Sequence, residues 1–324
     1  MMKALTYNRY GPPDVVRISD VPRPVPSTGE VLVRVHASSV NTADWRIRAG
    51  AFPGITAIPA RLLFGIWKPR NTRLGIEFAG VIESSGDGAR KFEVGDRVFG
   101  ITAKGGASAE YLAISEESAV ARMPKGISFE DAAALPFGGL TALVFLTDHA
   151  ELKPGHRVLI VGASGGVGSY AVQVAKAIGA NVTAISGSGS QDYVAALGAD
   201  LTLDYKTSAL CDLESHFDVI LDTIGVMSPR TARSKLLPNG VFLPLNMGLR
   251  ELWAGLLNPF TSRKIRLRVN PDTAEDLQKL SKMVLDGSIK PAIDRVYSLA
   301  KASEAHAYVE NRHRKGDVIL SIEK

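Results

Sequence analysis

The sequence predicts an α/β protein in which a doubly wound parallel sheet is joined to a partly open barrel or sandwich of short strands. Three observations predict this class. As far as about residue 123, the chain consists of short alternating runs separated by Gly and Pro. From Ser128 onward, apolar strands alternate with amphipathic helices, which is typical of a parallel sheet. A last alternating run, 318–322, has the pattern of a strand that returns to the first sheet.

Six short strands are predicted in the first part of the chain. They lie at 3–6, 15–20, 31–37, 78–84, 96–99 and 110–114. In the third of these strands, the alternation directs Arg34 and His36 outward.

The second part begins where Ser128, with Asp131 three residues later, indicates the N-terminus of a helix. The strands that follow are predicted at 157–161, 182–185, 201–203, 217–221, 241–244 and 265–269. The helices between them are predicted to end at Ile178 and Leu197, and two further helices at 274–285 and 302–311.

The composition is that of a well-packed chain of enzyme size, with 324 residues of which 45% are apolar and 22% charged. This length favours two domains of roughly 150 residues each. The one cysteine, Cys211, excludes disulfide frameworks, four-cysteine zinc lobes and iron–sulfur clusters. A net charge of +5 is too small to indicate nucleic-acid binding by itself.

Neither a signal peptide nor a membrane span is expected. The N-terminus has no apolar segment followed by a small-residue cleavage site, and no uncharged apolar run reaches about 18 residues. We therefore expect no transmembrane segment and a reducing, cytoplasmic location.

A glycine-rich loop between a predicted strand and a predicted helix is the strongest motif. Its glycines allow the backbone to approach a pyrophosphate, and the N-terminus of the helix favours that negative charge. The alternative is a tight turn that packs the helix on the strand. The residues predicted to contact a dinucleotide are Gly162, Ser164, Gly165, Gly166, Val167 and Gly168.

The next strand ends at Ser186, where a site that prefers NAD would place an Asp or Glu on the ribose. Without that carboxylate nothing repels a 2′-phosphate, and Ser186, Gly187 and Ser188 offer small donors to it. This pattern favours NADP. The alternative is a solvated loop, since the nearest cation that follows is Lys206.

Two segments are unusual in composition, because apolar and basic residues occur together in them. In 59–73, apolar side chains suit the border of a cleft for a small apolar electrophile; contact with a membrane surface and core packing beneath a basic rim are the alternatives. Segment 249–268 is apolar first and then basic, and the alternation in 263–268 indicates an edge strand.

With these patterns in view, the chain resembles the medium-chain dehydrogenase/reductase superfamily, in its zinc-free quinone oxidoreductase and enone reductase branch. The resemblance extends over nearly the whole chain and follows the order of that branch. The motifs that carry it include Tyr10-Gly-Pro-Pro, Gly29-Glu30-Val-Leu-Val-Arg, Asn41-Thr-Ala-Asp44-Trp45-Arg46, Gly75-Ile-Glu77-Phe-Ala-Gly80, Val94-Gly95-Asp96, Gly139-Leu140-Thr141-Ala142, the Gly162 loop and Leu197-Gly198-Ala199-Asp200.

The resemblance implies a GroES-like catalytic domain from residues 1–125 and 269–324, a Rossmann domain from 126–268, and a nicotinamide cofactor in the cleft between them. Relatives that bind a catalytic zinc carry Cys in place of Asn41 and His in place of Ile76, so no metal is expected here. The six His residues also never pair at ligand spacing. Because relatives pair two subunits along an edge strand, a homodimer is one expectation.

For the chemistry, the resemblance assigns Asn41 to the substrate or the nicotinamide ribose; its alternative is a helix cap. Arg46 takes the place where some relatives have Tyr or Lys and is expected to stabilise an oxyanion; a solvated helix arginine is the alternative. Asp44 is expected to position its neighbours. The proton comes from Tyr111 or from water.

The same resemblance assigns further cofactor contacts. Thr141 is expected at the nicotinamide ribose or phosphate, Tyr205 at the adenosine, and the nicotinamide wall at Ile224, Gly225, Asn246 and Met247. Asp222, at the end of a strand, is expected to be structural.

Together these features predict an NADPH-dependent, zinc-independent reductase of quinones or α,β-unsaturated carbonyls. One alternative is an NADP-linked alcohol dehydrogenase or carbonyl reductase. The other is a catalytically poor module that senses NADP or binds RNA through the basic patches 263–268 and 312–315.

Overall fold

A computed structural model describes residues 1–207 and 216–322. Cys211 lies outside the described residues. The helices are α1 (Thr42–Ala49), α2 (Ala57–Phe64), α3 (Phe129–Ala134), α4 (Pro136–Val144), α5 (Gly166–Ile178), α6 (Gln191–Ala196), α7 (Pro229–Lys235), α8 (Leu249–Leu256), α9 (Ala274–Leu285) and α10 (Ala302–Glu310).

The strands divide into three sheets. Those of the first 122 residues are β1 (Met2–Thr6), β2 (Arg17–Val21), β3 (Glu30–Val40), β4 (Glu77–Ser85), β5 (Arg97–Ile101), β6 (Tyr111–Ser115) and β7 (Val120–Arg122). Those of the parallel sheet are β8 (Arg157–Val161), β9 (Asn181–Ser186), β10 (Leu201–Asp204), β11 (Phe217–Asp222), β12 (Leu236–Pro244) and β13 (Lys264–Ile265). The last two are β14 (Ile293–Ser298) and β15 (Asp317–Ser321).

The barrel sheet combines both ends of the chain. Its order is β14-β15-β3-β4-β5-β7, with β6 also paired to β3, while β1 and β2 form a separate hairpin. β15 pairs antiparallel with β3, from Val318 opposite Val40 to Ser321 opposite Ala37. The predicted return of the last strand to the first sheet is confirmed. The division of the chain into domains at residues 125 and 269 stays a prediction.

The second sheet is parallel throughout, in the order β10-β9-β8-β11-β12-β13. The chain proceeds outward from β8 in one direction through β9 and β10, and in the other through β11 to β13. The strand order therefore reverses between β8 and β11, and ligands of such sheets bind at that point, beyond the carboxyl ends of the strands. The predicted doubly wound fold is confirmed.

Most predicted elements are found within one to three residues, and three predictions are wrong. His36 does not face solvent: it is buried and its ring stacks on Phe129, with centroids 4.1 Å apart. The strand predicted at 265–269 is confined to Lys264–Ile265, because pairing with β12 ends there. The interpretation of segment 59–73 as part of the core is also wrong, because most of its large apolar side chains are exposed.

The two sheets are joined by α5, whose side chains reach the C-terminal part of the chain. The buried Tyr170 hydroxyl donates to the carbonyl of Ala134 and accepts from the N–H of Ala292, both at 3.1 Å. One turn later, Gln173 bonds the backbone of Lys290 through both ends of its amide. These bonds fix the helix that follows the glycine loop against the segment leading into β14.

Candidate active site

Five predicted cofactor segments lie at one edge of the parallel sheet. The strands β10, β9, β8, β11 and β12 are neighbours in that order, and all point the same way. Their carboxyl ends therefore form a single row. In that order, the row consists of Tyr205, Ser186 to Ser188, Gly162 to Gly168, Ile224 and Gly225, and Asn246 and Met247.

The glycine loop has the shape that a diphosphate site requires. Gly162 has a φ of +81°, which side chains rarely allow, and a Cβ at Gly168 would lie 2.7 Å from the Cα of Ala163. Gly165, in contrast, is open: a Cβ there would meet only the carbonyl of Gly162, at 3.6 Å. No side chain caps α5, so its first-turn N–H groups, at Gly166 and Val167, are left for a ligand.

Ser164 holds the loop against the end of the chain. Its carbonyl accepts a hydrogen bond from the N–H of Gly316 at 2.9 Å, beside a parallel bridge between Gly165 and Gly316. The segment before β15 therefore touches the glycine loop directly.

At the end of β9, Ser186 is buried and its hydroxyl accepts a bond from the amide of Gln191 at 3.2 Å. The half-exposed ring of Tyr205 lies beside Gly187, where a Cβ would be 3.3 Å from the ring. Ser188 begins a single turn of 3₁₀-helix. The predicted adenosine residues therefore lie together.

Asp222 shapes the opposite wall. Its carboxylate accepts hydrogen bonds from the N–H groups of Ile224, Gly225 and Met227, at 3.0, 2.8 and 2.7 Å. The structural role predicted for Asp222 is confirmed. A Cβ at Gly225 would lie 2.6 Å from the side chain of Asn246, so the turns after β11 and β12 are in close contact.

Arg46 reaches this wall from α1. Its Nη2 donates to Oδ1 of Asn246 at 3.0 Å, across a separation of 200 residues. Burial lowers the pKa of the Arg46 guanidinium, and the nearby charge of Arg312 lowers it further. The guanidinium groups of Arg46 and Arg312 both lie over the ring of Trp45, at 5.7 and 5.4 Å from its centroid.

Asn41 and Asp44 form the cap of α1. The amide oxygen of Asn41 accepts from the N–H groups of Ala43 and Asp44, and the carboxylate of Asp44 accepts from the N–H of Asn41. Both side chains are buried. The cap that was the alternative for Asn41 is therefore present, and contact of Asn41 with a substrate stays a prediction. Burial raises the pKa of the Asp44 carboxyl to about 7.

Glu77 is a functional candidate that the sequence did not single out. Its carboxylate is buried and accepts from the Nδ2 of Asn41 at 2.7 Å, from the hydroxyl of Ser39, and from the N–H of Phe137 at 2.6 Å. Phe137 is in the first turn of α4, whose dipole favours an anion. Burial raises the pKa of Glu77, and the charge of Asp317 raises it further.

Arg314 and Asp317 were likewise missed as a pair. Arg314 donates to the carbonyl of Val40 and to the hydroxyl of Thr42, at 3.3 and 3.1 Å, so it points into the protein. Asp317 is buried and would contact a Cβ placed at Gly166. Burial raises the pKa of Asp317, while Arg314 opposes this. The signal in the sequence was the charged residue Asp317 at the start of an otherwise apolar strand.

Thr141 and Tyr111 have different surroundings. Thr141 is half-buried in α4, and its hydroxyl donates to the carbonyl of Phe137 at 2.7 Å. Tyr111 pairs with Arg34 on β3, seven residues before Asn41, which is about 23 Å along a strand. Tyr111 therefore lies far from Asn41 and from the start of α1, which favours water as the predicted proton donor.

Within residues 1–207 and 216–322, no group of three or more His, Cys, Asp or Glu side chains is placed to hold a metal ion. In the same part of the chain, no helix has both the length and the apolar character needed to cross a bilayer.

Comparison with known proteins identifies the family. Residues 27–125 match the alcohol dehydrogenase GroES-like domain, and residues 197–320 match a family described as zinc-binding dehydrogenase. A chloroplast envelope quinone oxidoreductase homolog of Arabidopsis thaliana is 33% identical, over 99% of this chain and 98% of the relative. A chloroplastic NADPH-dependent alkenal/one oxidoreductase of the same plant is 30% identical, over 98% of this chain and 79% of the relative.

The fold also agrees with a solved structure. Escherichia coli quinone oxidoreductase complexed with NADPH has a TM-score of 0.85 to this chain at 25% identity, over 99% of this chain and 100% of that one. The matches to the Arabidopsis relative and to this solved structure extend over both large sheets and over the glycine loop. The chain therefore belongs to the medium-chain dehydrogenase/reductase superfamily, in its zinc-free quinone oxidoreductase-like branch.

Proposed function

We propose that this protein is an NADPH-dependent reductase that transfers a hydride to a quinone or an α,β-unsaturated carbonyl. The observation that carries the proposal is the hydrogen bond between Arg46 and Asn246. This bond holds a cation at one end of the row of strand ends. The residues predicted to bind adenosine are at the other end, and the uncapped N-terminus of α5 lies between the two. The names of the relatives as quinone and alkenal/one oxidoreductases support this choice of acceptor.

The residues present fit a nicotinamide dinucleotide. The open side of Gly165 and the free N–H groups at the start of α5 suit its diphosphate, and Thr141, Ile224 and Gly225 are the residues that we expect at its reactive ring. When bound, the cofactor supplies the hydride. Preference for NADPH is supported by Ser186, which stands where a carboxylate would repel a 2′-phosphate.

In this proposal Arg46 stabilises the negative charge that develops on the substrate oxygen, since a preorganised cation is most effective where charge appears. Asn41 and Asp44 are positioning residues. Their cap fixes the start of α1, and with it the direction in which Arg46 points. A carboxylate beside the path of the hydride would oppose the negative charge that develops on the substrate. This supports a role for Asp44 in positioning α1 and not in contacting the substrate. Water supplies the proton.

The reaction is proposed to need no zinc. The two positions that carry metal ligands in zinc-dependent relatives are occupied by Asn41, whose amide is committed to the cap and to Glu77, and by Ile76. An amide nitrogen and a hydrocarbon side chain are poor ligands for zinc. A homodimer and the cytoplasmic location stay predictions.

Product analysis with an enone tests the proposal. The protein is incubated with the enone and with NADPH that carries deuterium at its transferable position. We expect deuterium on the β-carbon of a saturated ketone, with the C=O bond intact. Deuterium on the carbinol carbon of an allylic alcohol would instead identify the rival carbonyl reductase, and NADPH binding without any product would favour the cofactor-sensing module.

A further inference from the structure

Two helices of the structure carry large apolar side chains that are not buried. The first segment, 57–67, contains α2; the second, 249–260, contains α8. Together they carry half of the large apolar side chains that are exposed in the described part of the chain. These side chains are Ile58, Leu62, Leu63, Ile66, Trp67, Leu249, Leu252, Trp253, Leu256, Leu257 and Phe260.

The two segments begin side by side. Gly54, three residues before α2, packs so closely on the turn before α8 that a Cβ there would lie 2.9 Å from the Cα of Gly248. Arg46, one helix earlier, bonds Asn246 in the same turn. Both segments therefore begin at one contact, and we call their exposed apolar side chains together the cleft-mouth surface.

The exposure at this surface is large. The side chain of Trp67 is 91% exposed, that of Trp253 66% and that of Phe260 86%. Scattered single apolar residues are ordinary on a protein surface, but clusters of this kind mark a site that another apolar phase covers. Trp and Leu with flanking Lys and Arg are the residues with which a helix lies in a membrane interface.

The two stretches of sequence that contain these segments are strongly basic. Between Asp44 and Glu77 the sequence has six Lys or Arg and no acidic residue. Between Asp222 and Asp272 it has eight Lys or Arg and a single acidic residue, Glu251, which is buried in the first turn of α8. Lys68, Arg70 and Arg250 are exposed at the ends of the apolar runs.

We propose that the cleft-mouth surface docks on an anionic lipid bilayer, with Trp67, Trp253 and their apolar neighbours in the interface and Lys68, Arg70 and Arg250 at the headgroups. Charge complementarity selects this occupant. A second copy of the chain would bring the same positive charges against one another, which is unfavourable, whereas an anionic leaflet attracts them. The proposal goes beyond the proposed reduction and does not depend on it.

Tryptophan fluorescence provides a direct test, because the chain has three Trp residues and the third, Trp45, is buried. The full chain is titrated with vesicles of equal parts phosphatidylglycerol and phosphatidylcholine, and separately with phosphatidylcholine alone. With the mixed vesicles we expect a blue shift of the emission, quenching by brominated acyl chains, and cosedimentation. The W67F/W253F variant should cosediment but lose the shift and the quenching.

Two surface variants separate the apolar and the electrostatic contributions. Leu63→Ser with Trp67→Ser removes apolar area, and Lys68→Glu with Arg70→Glu reverses two charges. We expect each pair to weaken binding to the mixed vesicles by about tenfold or more. The matched controls are Val25→Ser, at an exposed apolar residue outside both segments, and Lys125→Glu, at an exposed cation of the barrel part. Both controls should bind like the parent.

Binding with no blue shift, or equal binding by the parent and both surface variants, would overturn the proposal. So would the absence of binding to mixed vesicles. If sedimentation velocity finds a dimer that Leu63→Ser with Trp67→Ser dissociates, a second copy covers this surface and the lipid proposal is wrong. None of these readouts uses turnover, so their failure is distinguishable from failure of the proposed reduction.

Discussion

Arg46 illustrates how a single side chain joins the two halves of the site. It belongs to α1, yet its hydrogen bond goes to the amide oxygen of Asn246 rather than to a carboxylate. A neutral partner leaves the positive charge of the guanidinium available to an anionic group on a substrate. Burial and Arg312 both lower its pKa, so the cation is held in an environment that favours an added negative charge.

The first prediction follows from this environment. Arg46→Ala should lower the rate of hydride transfer by about a hundredfold, because one preorganised donor is lost from the developing charge. The Kd for NADPH should change much less than this rate, because the hydrogen bond of Arg46 goes to Asn246, on the predicted nicotinamide wall, whereas the diphosphate is predicted to bind the glycine loop. Stopped-flow oxidation of bound NADPH measures the first quantity and a fluorescence titration the second.

Arg46→Lys is the matched control for the Arg46→Ala variant. It keeps the charge and should recover part of the rate. Equal rates in Arg46→Ala and the parent would remove the catalytic assignment of Arg46.

His306 gives a prediction about acid stability. Its ring is buried in α10, and burial together with the charge of Arg48 lowers its pKa to about 3, against 6.5 when exposed. Below 6.5 the unfolded chain therefore binds a proton that the folded chain does not. The contribution of His306 to stability should therefore fall by about 1.4 kcal/mol for each pH unit between pH 6.5 and its folded pKa, and the comparison with a variant that lacks the imidazole isolates this contribution from that of the buried carboxyl groups.

Urea unfolding of the parent and of His306→Gln, near neutral pH and at about pH 5, measures this loss. The Gln variant starts less stable but should lose less on acidification, because its side chain does not titrate. Parallel losses in the two proteins would contradict the assignment of a neutral, buried imidazole.

Local side-chain roles were predictable where both partners lie close in sequence. The cap of α1 uses Asn41 and Asp44, three residues apart, and Asp222 bonds N–H groups within five residues of itself. The site around Glu77 was not predictable. Its donors come from Ser39, 38 residues earlier, and from Phe137, 60 residues later, so their meeting depends on the whole barrel.

At the scale of elements, two glycines at the N-terminus of α5 have different roles. Gly168 is required by the fold, because a Cβ there would meet the backbone of Gly162 and Ala163. Gly165 has a φ of −78° and open space beside it, so an alanine fits the unliganded protein. Its lack of a side chain matters only when a diphosphate approaches the backbone.

We therefore predict different outcomes for two alanine variants. Gly165→Ala should weaken NADPH binding by about tenfold or more and leave the free energy of unfolding within roughly 0.5 kcal/mol of the parent. Gly168→Ala should lower both quantities. Titration calorimetry with NADPH and urea unfolding provide the two measurements.

Gly189→Ala is the control for these variants, because no atom lies within 4 Å of its Cβ position. It should change neither quantity. Unchanged NADPH affinity in Gly165→Ala would mean that the diphosphate does not cross this loop.

The sequence predicted elements well where periodicity and capping agree. β8 and α9 have the predicted bounds, and the cap at Ser128 is present with Asp131. Elements whose length depends on a neighbour were missed. β13 is only two residues long because its pairing with β12 is short. The side chains of α2 are exposed because few other elements pack against it.

In the whole molecule, the segment just before the last strand lies against the glycine loop. The segment before β15 bonds the glycine loop through Gly316 and Ser164, and Tyr170 and Gln173 tie α5 to residues near 290. The doubly wound order was predictable from alternating strands and helices. The contact of residue 316 with the loop was not, because it depends on the return of β15 to β3.

The central claim is that a dinucleotide seated on this loop reduces an organic acceptor without a metal ion. Single-turnover stopped-flow oxidation of protein-bound NADPH by a quinone, an enone, an aldehyde and a ketone, in buffer with a zinc chelator, tests it most directly. We expect rapid oxidation by the quinone or the enone and slow oxidation by the aldehyde and the ketone, with rates that the chelator leaves unchanged. Failure to bind NADPH, or turnover that requires added stoichiometric zinc, would contradict it.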